Sequence, residues 1–230
     1  MDKEFYQRTE ALLGTDVLGK LMDSWVAVVG LGGVGSFAAE ALIRSGIGHL
    51  TLVDGDCIEP SNFNRQLEAL FPDLGRSKVE AIAERAFKIN PHIKTEKFVC
   101  RYSDVTSEQI LNPGIDYVID AIDDVPAKIH LLSTCLRKNI PIVSSMGAAR
   151  RFDPSKLKIS DIKDTYKCPL AKKVRLGLRR IGIESGIDVV FSQEEPKINE
   201  PGTLGSMIFV PASAGLLLAS WVIKRIANIE

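Results

Sequence analysis

The chain has 230 residues, which is long enough to bury a large core and fits one α/β domain with extensions. Its 45% apolar and 25% charged content exclude a disordered or collagen-like chain. The charges of the 29 basic and 29 acidic residues cancel. This excludes a protein that binds nucleic acid through a surface that is basic all over, but it does not exclude local basic patches.

The first part of the chain alternates between predicted strands and helices. A helix is expected over about residues 2–13, and the helix that starts near Val34 should end at Gly46. Ser77 and Glu80 predict a capping box for a third helix, and residues 125–138 are amphipathic. Apolar strand signals occur at residues 26–30, 49–54, 97–101, 116–122 and 140–145. This alternation predicts an α/β fold with a Rossmann-like, doubly wound, mainly parallel sheet.

The pattern changes after residue 146, so we expect one domain over 1–230, made of a core (1–146) and a C-terminal extension (147–230). Residues 156–162 and 188–196 predict strands of a second layer, on either side of a cationic helix at about 169–181. Residues 195–205, rich in proline and glycine, predict a mobile loop. The apolar run 207–223 is slightly short for a membrane span and predicts a strand at 206–210 followed by a buried helix.

A glycine-rich turn lies between the first strand and the next helix. Gly30, Gly32 and Gly35 form G-x-G-x-x-G, with Gly33 between them, so backbone amides and a helix N-terminus should face a phosphate. Asp54 ends the next strand, where a carboxylate reaches ribose hydroxyls. On these two features alone, an NAD- or FAD-binding protein would be favoured.

The residues after Asp54 favour ATP over a dinucleotide. Arg65, in SNFNRQ, and Lys78 supply two cations that suit a triphosphate. Asp123 follows the fourth strand, where a carboxylate can hold the Mg²⁺ that bridges phosphates. The alternative interpretation makes Arg65 and Lys78 solvated surface charges, with Asp120 and Asp123 as helix caps.

The motifs GLGGVGS, SNFNRQ, GRSKVE and DAIDDV, with the pair Asp54 and Asp56, resemble the adenylation domain of the ubiquitin-activating-enzyme superfamily. This superfamily includes the bacterial ThiF- and MoeB-type enzymes that adenylate sulfur carriers. The resemblance implies a homodimer that uses ATP and Mg²⁺, with Asp54 on the ribose and an N-terminal arginine, here Arg8, reaching the phosphates of the partner subunit. It also implies that catalysis depends on Arg8, Arg65, Lys78 and Asp123, and that the nucleotide is bound by Gly30, Gly32, Gly33, Gly35, Asp54, Asp56, Ser61, Asn62, Asn64, Arg65, Lys78 and Asp123.

Four further segments, RTEALLG, SGIGHLTLVD, INP and CPLAKKVR, resemble the branch of tRNA threonylcarbamoyladenosine dehydratases. That resemblance implies ATP-dependent cyclisation of a threonylcarbamoyl group on a tRNA adenosine through carboxylate adenylation. The alternative is adenylation of the C-terminal glycine of a ubiquitin-like sulfur carrier, and a third hypothesis is a non-catalytic nucleotide-binding scaffold or NAD-binding regulator. A cysteine desulfurase or another sulfur-acceptor system stays open as a partner.

The four cysteines are isolated, without the CxxC pairs of the sulfur-carrier enzymes, so no zinc is expected and the predicted compartment is the reducing cytoplasm. Neither a membrane span nor a signal peptide is expected. Cys168 is interpreted as a packing residue rather than a nucleophile.

Basic residues concentrate between residues 150 and 180, where eleven lysines and arginines face three aspartates. Lys172, Arg175 and Arg179 fall on one face of the predicted cationic helix. Such a face suits contacts to phosphates of tRNA. The absence of interleaved aromatic residues gives no prediction of base stacking from this stretch.

Overall fold

A computed structural model describes residues 3–112, 114–197 and 204–229. Its centre is one seven-stranded sheet in the order β3-β2-β1-β4-β5-β7-β6, in which β6 alone runs antiparallel. The central strands are apolar runs buried on both faces, as parallel strands between helices must be. The strands are β1 Trp25–Val29, β2 His49–Val53, β3 Lys94–Phe98, β4 Tyr117–Asp120, β5 Ile142–Ser145, β6 Leu157–Asp161 and β7 Asp188–Ser192.

Helices cover both faces of the sheet, which confirms the doubly wound fold. On one face Leu42 and Leu218 belong to the core, and on the other face Leu131 and Val174 do. Gly46, at φ +99°, ends the third helix as predicted. The helices are α1 Gln7–Leu13, α2 Thr15–Asp23, α3 Gly35–Ser45, α4 Lys78–Ile89, α5 Asp104–Ile110, α6 Val125–Arg137, α7 Pro169–Arg180 and α8 Phe209–Ala227.

The prediction of a second layer after residue 146 is wrong, because both C-terminal strands extend the same sheet. β7 pairs in parallel with β5, and β6 pairs antiparallel with β7, Leu157 lying opposite Ser192. Buried side chains of β7 on opposite faces, Val190 and Phe191, join the two cores. Strand propensity identified these segments, but the periodicity of a strand does not say which sheet it joins.

The predicted strand at 206–210 is also wrong, since α8 already begins at Phe209. This helix is long and apolar enough to cross a membrane by length and composition, and half of its apolar window is buried inside the protein. Gly215 lies so close to α3 that an added Cβ would come within 2.3 Å of the Val34 carbonyl oxygen. α8 therefore packs as a core helix, as the sequence predicted.

Three smaller predictions differ from the structure. β3 lies at Lys94–Phe98 rather than at 97–101, and Val99 beyond it is exposed. Ser77 precedes α4, but its buried hydroxyl has no partner within the described residues, and Glu80 pairs with Lys97, so no capping box forms. The expected mobile loop at 195–205 lies partly outside the described residues, as does Asp2 of the predicted first helix.

Candidate active site

The carboxyl ends of β1, β2 and β4 meet at one edge of the sheet. Val29 lies opposite both Val53 and Asp120, so the segments that follow these three strands are brought together. The Gly30 amide donates to the Val53 carbonyl at 2.8 Å, and the Ala121 amide donates to the Val29 carbonyl at 2.8 Å. In this strand order the edge between β1 and β4 is the switch point at which open α/β sheets bind ligands.

The glycine turn between β1 and α3 is fixed by close backbone approaches. Gly30 has φ +90°, and a Cβ there would lie 2.8 Å from the Ala121 carbonyl group. A Cβ at Gly35 would lie 1.7 Å from the Gly30 carbonyl oxygen. Because α3 begins at this turn, its free amides point at the edge where an anion can bind.

Two acidic residues follow β2 and hold the turn. The Asp54 carboxylate accepts from the Leu31 amide at 2.6 Å and from the Asp56 amide at 2.8 Å. Asp56 is half exposed and pairs with Lys78 at 3.3 Å and with Arg101 at 3.2 Å. Asp54 is therefore fixed by backbone amides next to the glycine turn, while Asp56 bridges the side chains of Lys78 and Arg101.

Arg65 is held across the glycine turn by its own segment. Its Nη1 donates to the Ser61 carbonyl at 2.7 Å and to the Asn64 side-chain oxygen at 2.9 Å. A Cβ at Gly33 would lie 3.3 Å from Arg65 Cγ, so the side chain runs over that glycine. A Cβ at Gly32, by contrast, would only make ordinary van der Waals contact, 3.8 Å from the Gln66 side-chain amide.

Two asparagines of this segment act mainly within the protein. Asn62 is buried, and its side-chain oxygen accepts from the Glu59 amide at 3.0 Å, which shapes the 3₁₀ turn Pro60–Asn62. Asn64 donates to the Ser206 carbonyl at 2.8 Å and so ties the Arg65 segment to the chain that leads into α8. Ser61 is exposed beside them.

Lys78 opens α4 and is only 5% exposed, which contradicts the alternative of a solvated surface charge. Burying an ammonium group requires compensating charge. Asp56 supplies part of it, and the carboxyl of Glu68 lies close enough to act on Lys78 electrostatically. The sequence analysis did not single out Glu68; its place among apolar neighbours, in QLEAL, is the signal that a buried carboxyl leaves.

Asp123 is exposed after β4, and no hydrogen bond or ion pair is found for it within the described residues. The alternative that Asp120 or Asp123 caps a helix is wrong, because Asp124 caps α6 by accepting from the Ala127 amide at 2.8 Å. No cluster of three or more histidine, cysteine or acidic side chains suited to a metal ion occurs in the described part of the chain. A lone carboxylate fits a Mg²⁺ ion held mainly by phosphates and water.

The loop that carries Asp123 is anchored by a buried ion pair which the sequence analysis missed. Lys128 and Asp120 are both fully buried, with 2.7 Å between Nζ and Oδ2. Nζ also donates to the Ser144 hydroxyl and the Ser145 carbonyl, so all three of its protons are used. The other oxygen of Asp120 accepts from the Ile122 amide at 3.2 Å. A lysine on the apolar stripe of α6, one turn before Leu131, is the signal that could have revealed it.

Arg8 is not brought into the site of its own chain. It is exposed on α1, and nearby Tyr6 donates to the carbonyl of Ile43, near the end of α3 remote from the glycine turn. α3 spans 11 residues, so about 16 Å of helix separates its two ends. Within one chain, therefore, Arg8 stands apart from Arg65, Lys78 and Asp123.

The cationic helix α7 has the predicted bounds almost to the residue, but its three singled-out cations differ. Lys172 and Arg179 are exposed. Arg175 is partly buried, and its Nη1 donates to the Thr165 carbonyl at 2.9 Å and to the hydroxyl of the same residue. Arg175 thus fastens α7 to the preceding turn, and the exposed charge of this face comes from its neighbours.

The glycine turn, Asp54, Arg65 and Lys78 lie together at the switch point of the sheet. This arrangement defines a class of protein: a Rossmann-like protein that binds a nucleotide through its phosphates. The model of the ThiF family matches residues 6–230. The chain belongs to the ThiF family.

Its relatives include a tRNA threonylcarbamoyladenosine dehydratase of Bacillus subtilis (strain 168), 42% identical over 95% of this chain and 92% of the relative. The protein of the same name from Escherichia coli (strain K12) is 40% identical over 81% of this chain and 72% of its own length. A solved structure of E. coli tRNA N6-threonylcarbamoyladenosine dehydratase, TcdA, in complex with ATP superposes with a TM-score of 0.92 at 36% identity, covering 98% of this chain and 95% of that one.

Proposed function

We propose that this protein is an ATP-dependent enzyme that dehydrates threonylcarbamoyladenosine in tRNA by adenylating its carboxylate. The observation that carries the proposal is the end-to-end similarity to dehydratases, 42% identity over 95% of the chain for the B. subtilis relative. Arg65 and Lys78, each held in place by its own partner, are two cations that support the use of a nucleotide with several phosphates. The relatives solved with ATP and with AMP favour ATP over NAD.

The roles of the site residues follow from their positions. Asp54, which holds the turn through the Leu31 amide, would meet the ribose hydroxyls, and the amides of the turn from Gly30 to Gly35 would cradle a phosphate. Arg65 and Lys78 offset the charge that develops on the α-phosphate and the departing pyrophosphate. Asp123 would hold Mg²⁺, which when bound neutralises and orients the phosphate oxygens.

The proposed reaction has two steps. A carboxylate oxygen of the threonyl group attacks the α-phosphorus of ATP, and the bond to pyrophosphate breaks. A group of the same modified nucleoside then attacks the activated carbonyl, loses its proton, and expels AMP with the former carboxylate oxygen. The net change in the nucleoside is the loss of one water. Because the second step is intramolecular, it needs no cysteine relay and gains from proximity.

We propose further that the enzyme acts in the cytoplasm as a homodimer, in which Arg8 of one subunit reaches the site of the other. The distance of Arg8 from its own glycine turn supports this arrangement. Mixing Arg8→Ala with Asp123→Ala subunits should restore up to about one quarter of the activity, because some mixed dimers then hold one intact site. If subunit exchange is demonstrated and no activity returns, Arg8 does not act across the dimer.

Adenylation of a sulfur-carrier protein is the second candidate function. It is supported by the molybdopterin-synthase adenylyltransferase of E. coli (strain K12), which is 35% identical over 64% of this chain and 59% of its own length. The shorter match leaves about a third of this chain unaccounted for. Pyrophosphate release that depends on a carrier protein and needs no tRNA would favour this candidate.

The direct test incubates the purified protein with ATP, Mg²⁺ and tRNA that carries threonylcarbamoyladenosine. We expect AMP to form in proportion to a nucleoside that has lost one water. AMP formation without a change in nucleoside mass would point to a different acceptor, and no reaction despite ATP binding would contradict the proposal.

Asp123→Ala should abolish Mg²⁺-dependent turnover, while near-normal turnover of this variant would remove its proposed role.

A further inference from the structure

Glu68 is a buried carboxyl that none of the proposed catalytic steps uses. Its side chain is 3% exposed, and both carboxyl oxygens lack a hydrogen-bond partner within the described residues. The segment that carries it is fixed: the Leu67 amide donates to the Ser36 hydroxyl at 3.3 Å, and the Leu70 amide donates to the Glu68 carbonyl at 3.0 Å. The carboxyl is thus held behind the glycine turn, where no hydrogen bond of normal length and angle within the described residues stabilises its anion.

The charged groups that face this carboxyl come from neighbouring elements. Burial is the main influence on the pKa of Glu68, the Asp54 carboxylate also raises this pKa, and the net result of all its neighbours is a pKa of about 7. The backbone of Glu68 itself, Lys78 and the Ser36 hydroxyl act in the opposite direction and lower the pKa. Glu68 therefore exchanges its proton close to neutral pH, beside the lysine proposed to hold the phosphates.

An ionised Glu68 competes with ATP in two ways. It adds a second carboxylate, after Asp56, to the surroundings of the Lys78 ammonium. It also places a negative charge behind a turn whose amides would cradle phosphate, in a region from which water is excluded and charges act strongly. A neutral Glu68 removes both effects.

We propose that Glu68 is a positioning residue that takes up a proton when ATP binds, so that Lys78 is free to turn from its carboxylates to the phosphates. The proposal rests on the proposed function in one respect, that ATP binds at this turn. It makes ATP binding pH-dependent through a group that does not touch the nucleotide.

The sign of the effect follows from linkage. The ATP-bound state carries more protons than the free protein, so the affinity for ATP falls as the pH rises through about 7. Below that pH Glu68 is already neutral and the affinity levels off. We expect a decrease of about three- to tenfold between mildly acidic and mildly alkaline solution, since each pKa unit of difference corresponds to a factor of ten. The change should appear in the KM for ATP rather than in kcat.

The test measures MgATP binding by titration calorimetry across neutral pH, in buffers of different ionisation enthalpy. The wild-type protein should take up a fraction of a proton per ATP bound, beyond the protons that ATP itself exchanges. Glu68→Gln, which imitates the neutral carboxyl, should lose that excess and bind ATP with little dependence on pH. Glu108→Gln serves as the matched control, because Glu108 is an exposed carboxyl that pairs with Lys138 on another part of the surface.

Equal proton uptake by the wild-type protein and Glu68→Gln would overturn the role of Glu68 and leave ATP binding intact. Failure of the wild-type protein to bind ATP at every pH would overturn the proposed function together with this inference. A ¹³C titration of labelled glutamate carboxyls in the wild-type protein needs no variant. One carboxyl with a near-neutral pKa that rises on adding ATP supports the proposal, and none that does so contradicts it.

Discussion

The sheet edge at the glycine turn and the outer face of α7 are both rich in charge, but they hold it differently. At the edge, Arg65 and Lys78 are each fixed by partners, and the Asp123 loop rests on a fully buried ion pair. On α7, Lys172 and Arg179 are exposed, and Arg175 is used to fasten the helix.

The two regions therefore suit different ligands. Groups held by the fold can select a geometry, such as that of a nucleotide bound at a turn, because only a side-chain end such as the Lys78 ammonium has to move when the ligand binds. Exposed lysines and arginines on flexible stems select only charge, which suits the backbone of a nucleic acid. Substitutions at the edge should therefore strongly reduce ATP affinity or folding stability. Substitutions of exposed cations on α7 should have small effects on tRNA binding that depend on salt.

Gly35→Ala should have the largest effect on ATP binding. Its Cβ would lie 1.7 Å from the Gly30 carbonyl oxygen, so the backbone of the turn must move. We expect ATP affinity to fall by about 100-fold or more, equivalent to about 2.7 kcal/mol. Gly19→Ala, in a helix with nothing within 4 Å of the new Cβ, is the control and should raise stability by about 0.5–1 kcal/mol. Equal ATP binding by the two variants would show that the turn is not a rigid binding element.

Lys128→Met should destabilise the fold, because it leaves Asp120 buried without its counter-charge. We expect the free energy of unfolding to fall by about 3–5 kcal/mol in denaturant titrations. Lys138→Met is the comparison, since its ion pair with Glu108 is largely exposed and should be worth less than about 1 kcal/mol. Similar losses from both variants would mean that the Asp123 loop is not anchored through Lys128.

The smallest effects are expected on α7. Lys172→Gln combined with Arg179→Gln should raise the KM for tRNA by about three- to tenfold, reduce the salt dependence of tRNA binding, and leave the KM for ATP unchanged. Arg175→Gln should instead lower stability by about 1–3 kcal/mol, since it removes charge-assisted hydrogen bonds to Thr165. An unchanged salt dependence in the double variant would move the tRNA site elsewhere.

The sequence predicted the glycine turn between β1 and α3 because this turn has a local signature. The spacing of Gly30, Gly32 and Gly35 between a strand and a helix identifies backbone geometry directly. The helix bounds of α3, α6 and α7 were also confirmed, since their ends follow from glycine, proline and apolar periodicity.

What the sequence did not reveal depends on contacts between distant segments. Asp120 and Lys128 become partners only because α6 folds back over β4, and Glu68 becomes buried only where its loop meets α3 and α4. β3 was misplaced by three residues because it is an edge strand with partly exposed side chains, so its periodicity is weak. Sheet membership of β6 and β7 is likewise decided by tertiary pairing.

The central claim is that ATP activates the carboxylate of the threonyl group by adenylation. It is tested most directly with tRNA whose threonylcarbamoyl carboxylate carries ¹⁸O, followed by mass spectrometry of the products. We expect one ¹⁸O atom to appear in AMP and the dehydrated nucleoside to keep the other. Label in inorganic phosphate, with ADP as the second product, would contradict it and show that the γ-phosphate is transferred instead.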